Sequence, residues 1–281
     1  MWTQIVGKIR LALEPMVNHW WQVPLYVSSV GLTTSLMPYR DGGLEIEFDF
    51  HRHKLLVTTV SGEQRELSLH ARSVTDFYTE VFALLAELDV DVQIFGRPVE
   101  VVDAIPFAED EDHASYDAEY VERFWRSLVS AVRVFTVFRA GFIGKVSPVH
   151  FFWGGFDLAV TRFSGRRAPR HPGGTPNCAD WVMERAYSHE VISSGYWPDG
   201  SVEGSFYSYA YPEPEGLRDQ QVLPNAAFFD EALGLCLLPY EVVRTADQPD
   251  VVLMEFLQST YDVAANLAGW DRERLEAREP D

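Results

Sequence analysis

The segment LEIEFDF, residues 44–50, decides the fold class, because apolar and acidic side chains alternate along it without interruption. An extended chain places successive side chains on opposite faces, so one face of this segment is apolar and the other acidic. The apolar face consists of Leu44, Ile46, Phe48 and Phe50. Residues 54–60 and 64–69 follow after short turns and have strand composition. The three segments together predict an antiparallel meander with one solvent-facing side.

Further strands are predicted on both sides of this meander. Strand composition marks residues 20–30, 92–95, 149–163, 190–192, 206–211 and 235–243. Between them, apolar residues recur at helical spacing in segments 3–13, 73–88, 115–140 and 249–269, and Asn177 suits the start of a short helix ending near Tyr187. These elements predict an α+β protein, mainly antiparallel sheet with flanking helices.

Local signals support the helices. Ser73, with Asp76 three residues later, predicts an N-terminal cap, and Pro249 suits the first position of the last helix. The helix that begins near residue 115 or 117 is predicted to turn one apolar face inward, namely Tyr120, Phe124, Leu128, Val132, Phe135 and Phe138.

The domain organisation allows two interpretations. The 281 residues are 47% apolar, which predicts one globular unit over residues 1–281 with a frayed tail at 271–281. Each half runs strands and then a helix, and each set of strands begins near a histidine followed by two aromatic residues, at 19–21 and 150–152. The halves are either two similar lobes, 1–114 and 115–270, produced by duplication, or two α+β segments alike by chance.

The charge balance bears on partners and location. A formal net charge of −19 predicts repulsion from nucleic acid and from anionic membrane surfaces, so neither is an expected partner. The two cysteines, Cys178 and Cys236, form no CxxC pair, and the first ten residues contain no signal-peptide core. We therefore expect a cytoplasmic protein.

Common catalytic motifs do not occur in the sequence. It contains no GxGxxG after a strand, no GxxxxGK[ST], no HExxH and no GxSxG. These absences argue against dinucleotide redox chemistry, nucleotide hydrolysis, zincin proteolysis and α/β-hydrolase chemistry. No cofactor can be named from the sequence, and the presence of a metal and the oligomeric state stay open.

Three strings carry a resemblance to a known family: HWWQVPLYVSS at 19–29, SPVHFFWGGFDLAVTRFSGRRAP at 147–169 and LQSTYDVAANLAGWD at 257–271. The chain resembles, over nearly its whole length, an uncharacterised bacterial family of domains of unknown function. The resemblance implies no activity, cofactor or catalytic residue.

An arginine-rich window, residues 162–170, is the candidate binding segment. Guanidinium groups recognise carboxylates and phosphates, so Arg162 and Arg166 are the candidate holders of an anionic ligand. The alternative is an arginine-rich turn paired with the protein's own carboxylates. Gly154-Gly155 is typical of a β-bulge, whose register decides whether His150 or Trp153 shares a face with Arg162.

Candidate proton-transfer groups lie beside this window. His150 and His189 are candidate bases, Asp157 is the candidate to orient a histidine, and Glu190 follows His189. Adjacent strand residues face opposite ways, so His189 and Glu190 are not expected to act on each other, and either histidine has an ordinary structural role as its alternative.

Aromatic residues complete the candidate cleft. Trp153, Tyr196 and Tyr209 are predicted cavity-wall residues, with ordinary core packing as the alternative. The favoured function is binding of a small anionic metabolite in an aromatic-lined cleft, with proton-transfer or hydrolytic chemistry there. The rival hypothesis is a non-catalytic ligand-binding or protein-interaction module.

Overall fold

A computed structural model describes residues 1–198 and 203–277. In this part of the chain the helices are α1 (Trp2–Leu13), α2 (Val74–Glu87), α3 (Ala118–Ala140), α4 (Asp180–Ala186), α5 (Tyr240–Arg244), α6 (Pro249–Leu267) and α7 (Arg272–Leu275). The strands are β1 (Tyr26–Val27), β2 (Gly31–Thr33), β3 (Met37–Tyr39), β4 (Gly42–Asp49), β5 (Lys54–Thr59), β6 (Gln64–Ser68), β7 (His150–Phe152), β8 (Asp157–Arg167), β9 (His189–Trp197), β10 (Ser205–Tyr211), β11 (Phe228–Asp230) and β12 (Leu235–Pro239). The predicted α+β class is confirmed.

The chain divides into two compact units, which are not contiguous in sequence. Unit 1 comprises residues 1–129, 151–155 and 173–182, and unit 2 comprises 130–150, 156–172 and 183–281. The predicted lobe boundary after residue 114 therefore falls inside unit 1. In the predicted frayed tail, α7 is ordered and the Ile143 amide donates to the Leu275 carbonyl at 2.8 Å, while residues 278–281 lie outside the described residues.

Unit 1 is built on the predicted meander. Its sheet has the order β1-β2-β4-β5-β6, with β3 also paired to β4, and every pairing is antiparallel. Along β4 the apolar residues of LEIEFDF are buried, and Phe48 stacks 6.5 Å from Phe77 of α2. The Phe77 ring in turn stacks on Trp2 of α1 at 4.4 Å. The predicted apolar face is therefore confirmed, because it packs beneath two helices. The predicted solvent-facing side is wrong at Asp49, which is buried and accepts hydrogen bonds from the His51 and Arg52 amides of the following turn.

The second antiparallel sheet has the order β11-β12-β10-β9-β8-β7, and its strands β8 to β12 lie in unit 2. One face carries a row of directly paired core residues, Leu158, Tyr196, Phe206 and Leu238. Phe135 of α3 contacts Phe206 edge-on at 6.3 Å. The apolar row thus supplies the packing surface for helices on this face.

The predictions for Ser73 and Pro249 are confirmed, whereas the helix start predicted at Asn177 is wrong, because α4 begins at Asp180 and the Asn177 side chain donates to the Val101 carbonyl. The Ser73 hydroxyl accepts a hydrogen bond from the Asp76 amide at 3.0 Å, and Pro249 occupies the first turn of α6. Two strand predictions are also wrong. Residues 92–95 form no strand. Residues 240–243 belong to α5, because the strand ends at Pro239, which has no amide hydrogen to extend the ladder.

The inward face of α3 differs from the predicted one at three positions. Tyr120 is exposed, and Phe124 and Val132 are half-buried, whereas Leu128, Phe135 and Phe138 are buried as predicted. Trp125 takes the buried position instead, and its indole nitrogen donates to the Ser28 carbonyl at 3.2 Å. The indole of Trp125 buries more area than the phenol of Tyr120, and it gains this hydrogen bond. Burial of Trp125 therefore determines which side of the first turns of α3 faces inward.

None of the helices in the described residues combines the length and the apolar character needed to cross a membrane.

We predict that Phe48→Ala destabilises unit 1 by about 3–5 kcal/mol, because it removes a ring that is only 2% exposed between the sheet and α2. The free energy of unfolding from chemical denaturation measures the loss. Val60→Ala, at a side chain 62% exposed, is the control and should change it by less than about 0.5 kcal/mol. Equal denaturation midpoints for the two variants would contradict this assignment of the core.

Candidate functional site

Trp153 is a packing residue of unit 1. Its indole nitrogen donates to the Val23 carbonyl at 2.8 Å, and the ring fills the space beside Gly7 of α1 so closely that a Cβ there would overlap it. The predicted role in a cavity wall gains no support from this position. The glycine in α1 is explained instead, because only a residue without a Cβ admits the indole.

Arg162 is buried in the interior of unit 2, with 2% of its surface exposed. Its guanidinium carbon lies 3.6 Å from the Phe138 ring centroid, 4.2 Å from Tyr261 and 5.1 Å from Phe142. The guanidinium also donates to the Phe138 carbonyl.

The electrostatics of Arg162 follow from this enclosure. No carboxylate of the described residues lies within ion-pair distance of the guanidinium. Burial lowers the pKa of Arg162 to about 10, so the group stays charged at neutral pH. The aromatic faces therefore stabilise this cation, and its position does not support the predicted role as anion holder.

The two predicted histidines do not converge. His150 is fully buried on β7, and β8 separates that strand from β9, which begins at His189. The two histidines could meet only on neighbouring strands. The Nδ1 atom of His189 lies 3.1 Å from the Ser188 hydroxyl. Burial, then the charges of Lys145 and Arg167, lower the pKa of His189, so the imidazole is neutral at pH 7.

Asp157 has a tyrosine as its partner, not a histidine. The Tyr207 hydroxyl donates to the Asp157 carboxylate at 2.5 Å. Burial raises the pKa of Asp157 to about 6, although the tyrosine hydrogen bond opposes this shift. Burial and the nearby carboxylate raise the pKa of Tyr207. Tyr207 is thus a hydrogen-bond donor and Asp157 an acceptor within the same sheet, and the pKa of each is raised.

Tyr207 is a residue that the sequence analysis missed. Gly195 of β9 is directly opposite it, and a Cβ at that glycine would overlap the phenol ring. A signal was present in the alternation of FYSYAY, residues 206–211, because Tyr207 shares its strand face with the predicted Tyr209. The glycine across the sheet, which admits the ring, could not be matched to it without the register.

The two predicted wall tyrosines differ in their surroundings. Tyr196 is buried, its hydroxyl donates to the Glu203 carbonyl at 3.0 Å, and its ring lies 5.2 Å from both Phe206 and Tyr240. It is a core residue. The Tyr209 hydroxyl lies 2.7 Å from that of Tyr187.

Arg166 and Glu190 come together, although the sequence analysis gave them separate roles. The Arg166 Nε donates to Glu190 at 2.8 Å, and the Ser164 hydroxyl donates to the same carboxylate oxygen at 2.8 Å. The other guanidinium nitrogens donate to carbonyls beyond the end of α6, that of Ala268 at 2.6 Å and that of Gly269 at 3.3 Å. Three further groups, one hydroxyl and two carbonyls, therefore fix this ion pair.

The ion pair lies in the wall of a pocket of about 190 Å³ within unit 2, which we call the Arg166 pocket. Strands β9 and β10 supply one side, and the segment that follows α6 supplies another. Besides the ion pair, the polar and aromatic lining consists of Tyr211, Glu215 and Trp270. Of the predicted site residues, Arg166 and Glu190 are the two that line it.

A metal centre finds no support in the described residues. Within the described residues, 1–198 and 203–277, no three or more His, Cys, Asp or Glu side chains are arranged to hold a metal ion.

Comparison with known proteins gives the family. A family model matches residues 1–277, nearly the whole chain. The chain belongs to DUF5996, a family of unknown function. No curated protein and no solved structure matches it. This match confirms the resemblance that the three sequence strings indicated. Because the DUF5996 family has no assigned function, a function for this chain has to be argued from its own residues.

We predict that Asp157 makes the stability of the protein pH-dependent. Its folded pKa, about 6, lies above the ordinary value of 3.8, so the folded state binds the proton more tightly. Its contribution is therefore fully present below about pH 4 and is lost as the pH rises through about 6. The free energy of unfolding of wild type minus that of Asp157→Asn should fall between pH 4.5 and pH 7.

The matched control is Asp219→Asn, which removes the same charge at an exposed position. Tyr207→Phe removes the hydrogen bond that opposes the shift, so the pKa of Asp157 should rise further in that variant. If the free energies of unfolding of wild type and Asp157→Asn change with pH in parallel, the prediction is contradicted.

Proposed function

We propose that this protein binds a small organic molecule in the Arg166 pocket. The observation that carries the proposal is the Arg166–Glu190 ion pair, held in a fixed geometry in the pocket wall together with Tyr211 and Trp270. A preordered polar group beside aromatic surfaces is the usual composition of a small-molecule site. The volume, about 190 Å³, lies below the range of roughly 300–1,000 Å³ for drug-sized ligands, which points to a small metabolite.

The charge of the pocket favours an organic cation. The Arg166 guanidinium is already engaged by Glu190 and by two carbonyls, whereas Glu215 adds a second carboxylate to the lining. The carbonyls at the C-terminal end of α6 add partial negative charge. The rings of Tyr211 and Trp270 are suitable surfaces for an ammonium group.

An anionic ligand, which the arginine-rich window predicts, is the second candidate. Arg166 lines the pocket, and an anion would have to take over its hydrogen bonds from Glu190. Such an exchange leaves a partly buried carboxylate without its cation, which is unfavourable. The two candidates therefore make opposite predictions for the removal of Arg166.

We favour binding over catalysis. The residues that line the pocket include neither a histidine nor a cysteine, and His150 and His189 are not among them. A perturbed histidine inside the pocket would have favoured an enzyme. We also propose a cytoplasmic location, supported by the two cysteines, which form no disulfide, and no binding to nucleic acid or to membranes, supported by the charge of −19.

We predict opposite responses of the pocket to two ligands of similar size, benzylammonium and benzoate. Benzylammonium should raise the melting temperature of wild type, and Glu215→Gln should weaken its affinity about two- to fivefold, as expected for one partly exposed charge contact. Arg166→Met should strengthen benzylammonium binding, because Glu190 then faces the ligand without its partner. Differential scanning fluorimetry gives the shifts and isothermal titration calorimetry the affinities.

The matched control is Glu184→Gln, which removes a carboxylate paired with Arg170 outside the pocket and should leave both affinities unchanged. Stabilisation by benzoate that is lost in Arg166→Met would establish the anionic candidate instead. Two results would contradict the proposal of small-molecule binding in this pocket. One is that neither ligand shifts the melting temperature at millimolar concentration. The other is that the shifts are the same in wild type, Glu215→Gln and Arg166→Met.

A further inference from the structure

Lys8 is a buried amine in unit 1. Only three lysines occur in the chain, and the Lys8 side chain on α1 is 3% exposed. Its Nζ lies 5.2 Å from the centroid of the Phe95 ring and 5.8 Å from that of Trp153. Among the described residues, the ammonium donates no hydrogen bond and pairs with no carboxylate. The amine is therefore enclosed mainly by aromatic surfaces.

This environment makes the neutral amine readily accessible. Transfer out of water disfavours an ammonium ion, and contact with two ring faces offsets only part of that cost. Burial lowers the pKa of Lys8 to about 8, although the nearby Cys178 opposes the shift. Burial, followed by the charge of Glu100, raises the pKa of Cys178 in turn, and Asp180 acts in the same direction. The thiol is thus mostly neutral at pH 7.

We propose that Lys8 is a nucleophilic amine that forms a Schiff base with a small, flat aldehyde or ketone. The ammonium first releases a proton to solvent, and the nitrogen lone pair then attacks the carbonyl carbon. The C–N bond forms, and a proton passes from nitrogen to the former carbonyl oxygen. Loss of that oxygen as water gives the C=N bond, so the amine and the carbonyl compound are converted to an imine and water without an oxidant or reductant.

The two rings have different parts in this site. Trp153 is a fixed packing residue, held by its hydrogen bond to the Val23 carbonyl, and its ring stays in place beside the amine. Phe95 lies in a stretch without regular structure, and its side chain is 67% exposed. Rotation of that one side chain, which exposed residues undergo on a nanosecond scale, uncovers the amine. In the proposed reaction the carbonyl compound reaches the amine from the side of Phe95, and the iminium form keeps a cation beside the Trp153 ring.

The experiment is reductive trapping on the native full-length chain. The protein is incubated with benzaldehyde and sodium cyanoborohydride between pH 6 and pH 10, and the benzylated peptides are quantified by mass spectrometry. At pH 8 about half of Lys8 is neutral, against under about 1% of an ordinary lysine. We expect the adduct at Lys8 to exceed that at Lys54 at least about tenfold, with a midpoint near pH 8.

Matched variants assign the adduct. Lys8→Arg keeps the positive charge and should lose the adduct, whereas Lys54→Arg should leave it unchanged. Phe95→Ala, at an exposed side chain, should speed the modification of Lys8 several-fold. The Met1 amino group and Lys145, whose pKa values burial also lowers, are quantified in the same digest.

Two results would overturn the proposal. One is modification of Lys8 no faster than of Lys54 in the folded protein. The other is an adduct at Lys8 that forms only after unfolding in urea, which would make the lysine a purely structural residue. Glu215→Gln in the Arg166 pocket should not alter the adduct, so this outcome and that of the small-molecule proposal are independent.

Discussion

The enclosure of the Arg162 guanidinium by aromatic rings is the constraint on which the interior of unit 2 depends. The side chain leaves β8, donates to the Phe138 carbonyl of α3 and contacts Tyr261 of α6. A buried cation without a carboxylate is tolerated only where ring faces and carbonyls replace its hydration, so each of these groups must hold its place. Three aromatic rings therefore have two roles: they pack in the core, and they surround the charged guanidinium. These rings belong to Phe138, Phe142 and Tyr261. Arg162 thereby connects β8 with both α3 and α6.

The same physical situation has a different chemical result at Lys8. Both residues place a cation against aromatic rings, and burial lowers both pKa values, to about 10 for Arg162 and about 8 for Lys8. A guanidinium shifted this far is still fully charged at neutral pH and remains a structural group. An ammonium shifted to about 8 exists in part as the free amine, which has a reactive lone pair. The ordinary pKa of each group, and not the degree of burial, therefore determines which of the two sites is able to do chemistry.

The sequence predicted the elements better than the sites, for a physical reason. Strand alternation in LEIEFDF and the Ser73 cap depend on neighbours within a few residues, and both are confirmed. The inward face of α3 depends on which large side chain finds a hydrogen-bond partner, and Trp125 finds one in Ser28, almost a hundred residues away. The ion pair of Arg166 with Glu190 depends on the irregular register between Phe163 and Arg167 of β8, which no local pattern reveals. The burial of Lys8 was equally hidden, because a lysine in a short amphipathic helix is normally at the surface.

The arginine-rich window shows how the excess of acid shapes the possible ligands. The sequence allowed two interpretations of residues 162–170, an anion site or pairing with the protein's own carboxylates. The second applies to two of these arginines, because Arg166 pairs with Glu190 and Arg170 pairs with Glu184. In a chain with 42 acidic and 23 basic residues, most arginines find such partners, and few guanidinium groups remain to attract an anion from solution. Among the residues that the structure describes, Glu215 in the Arg166 pocket forms no ion pair, which supports the proposed attraction of a cation. Two arginines of the window that suggested an anion-binding loop are thus already paired with carboxylates, which supports the proposal of a cationic ligand.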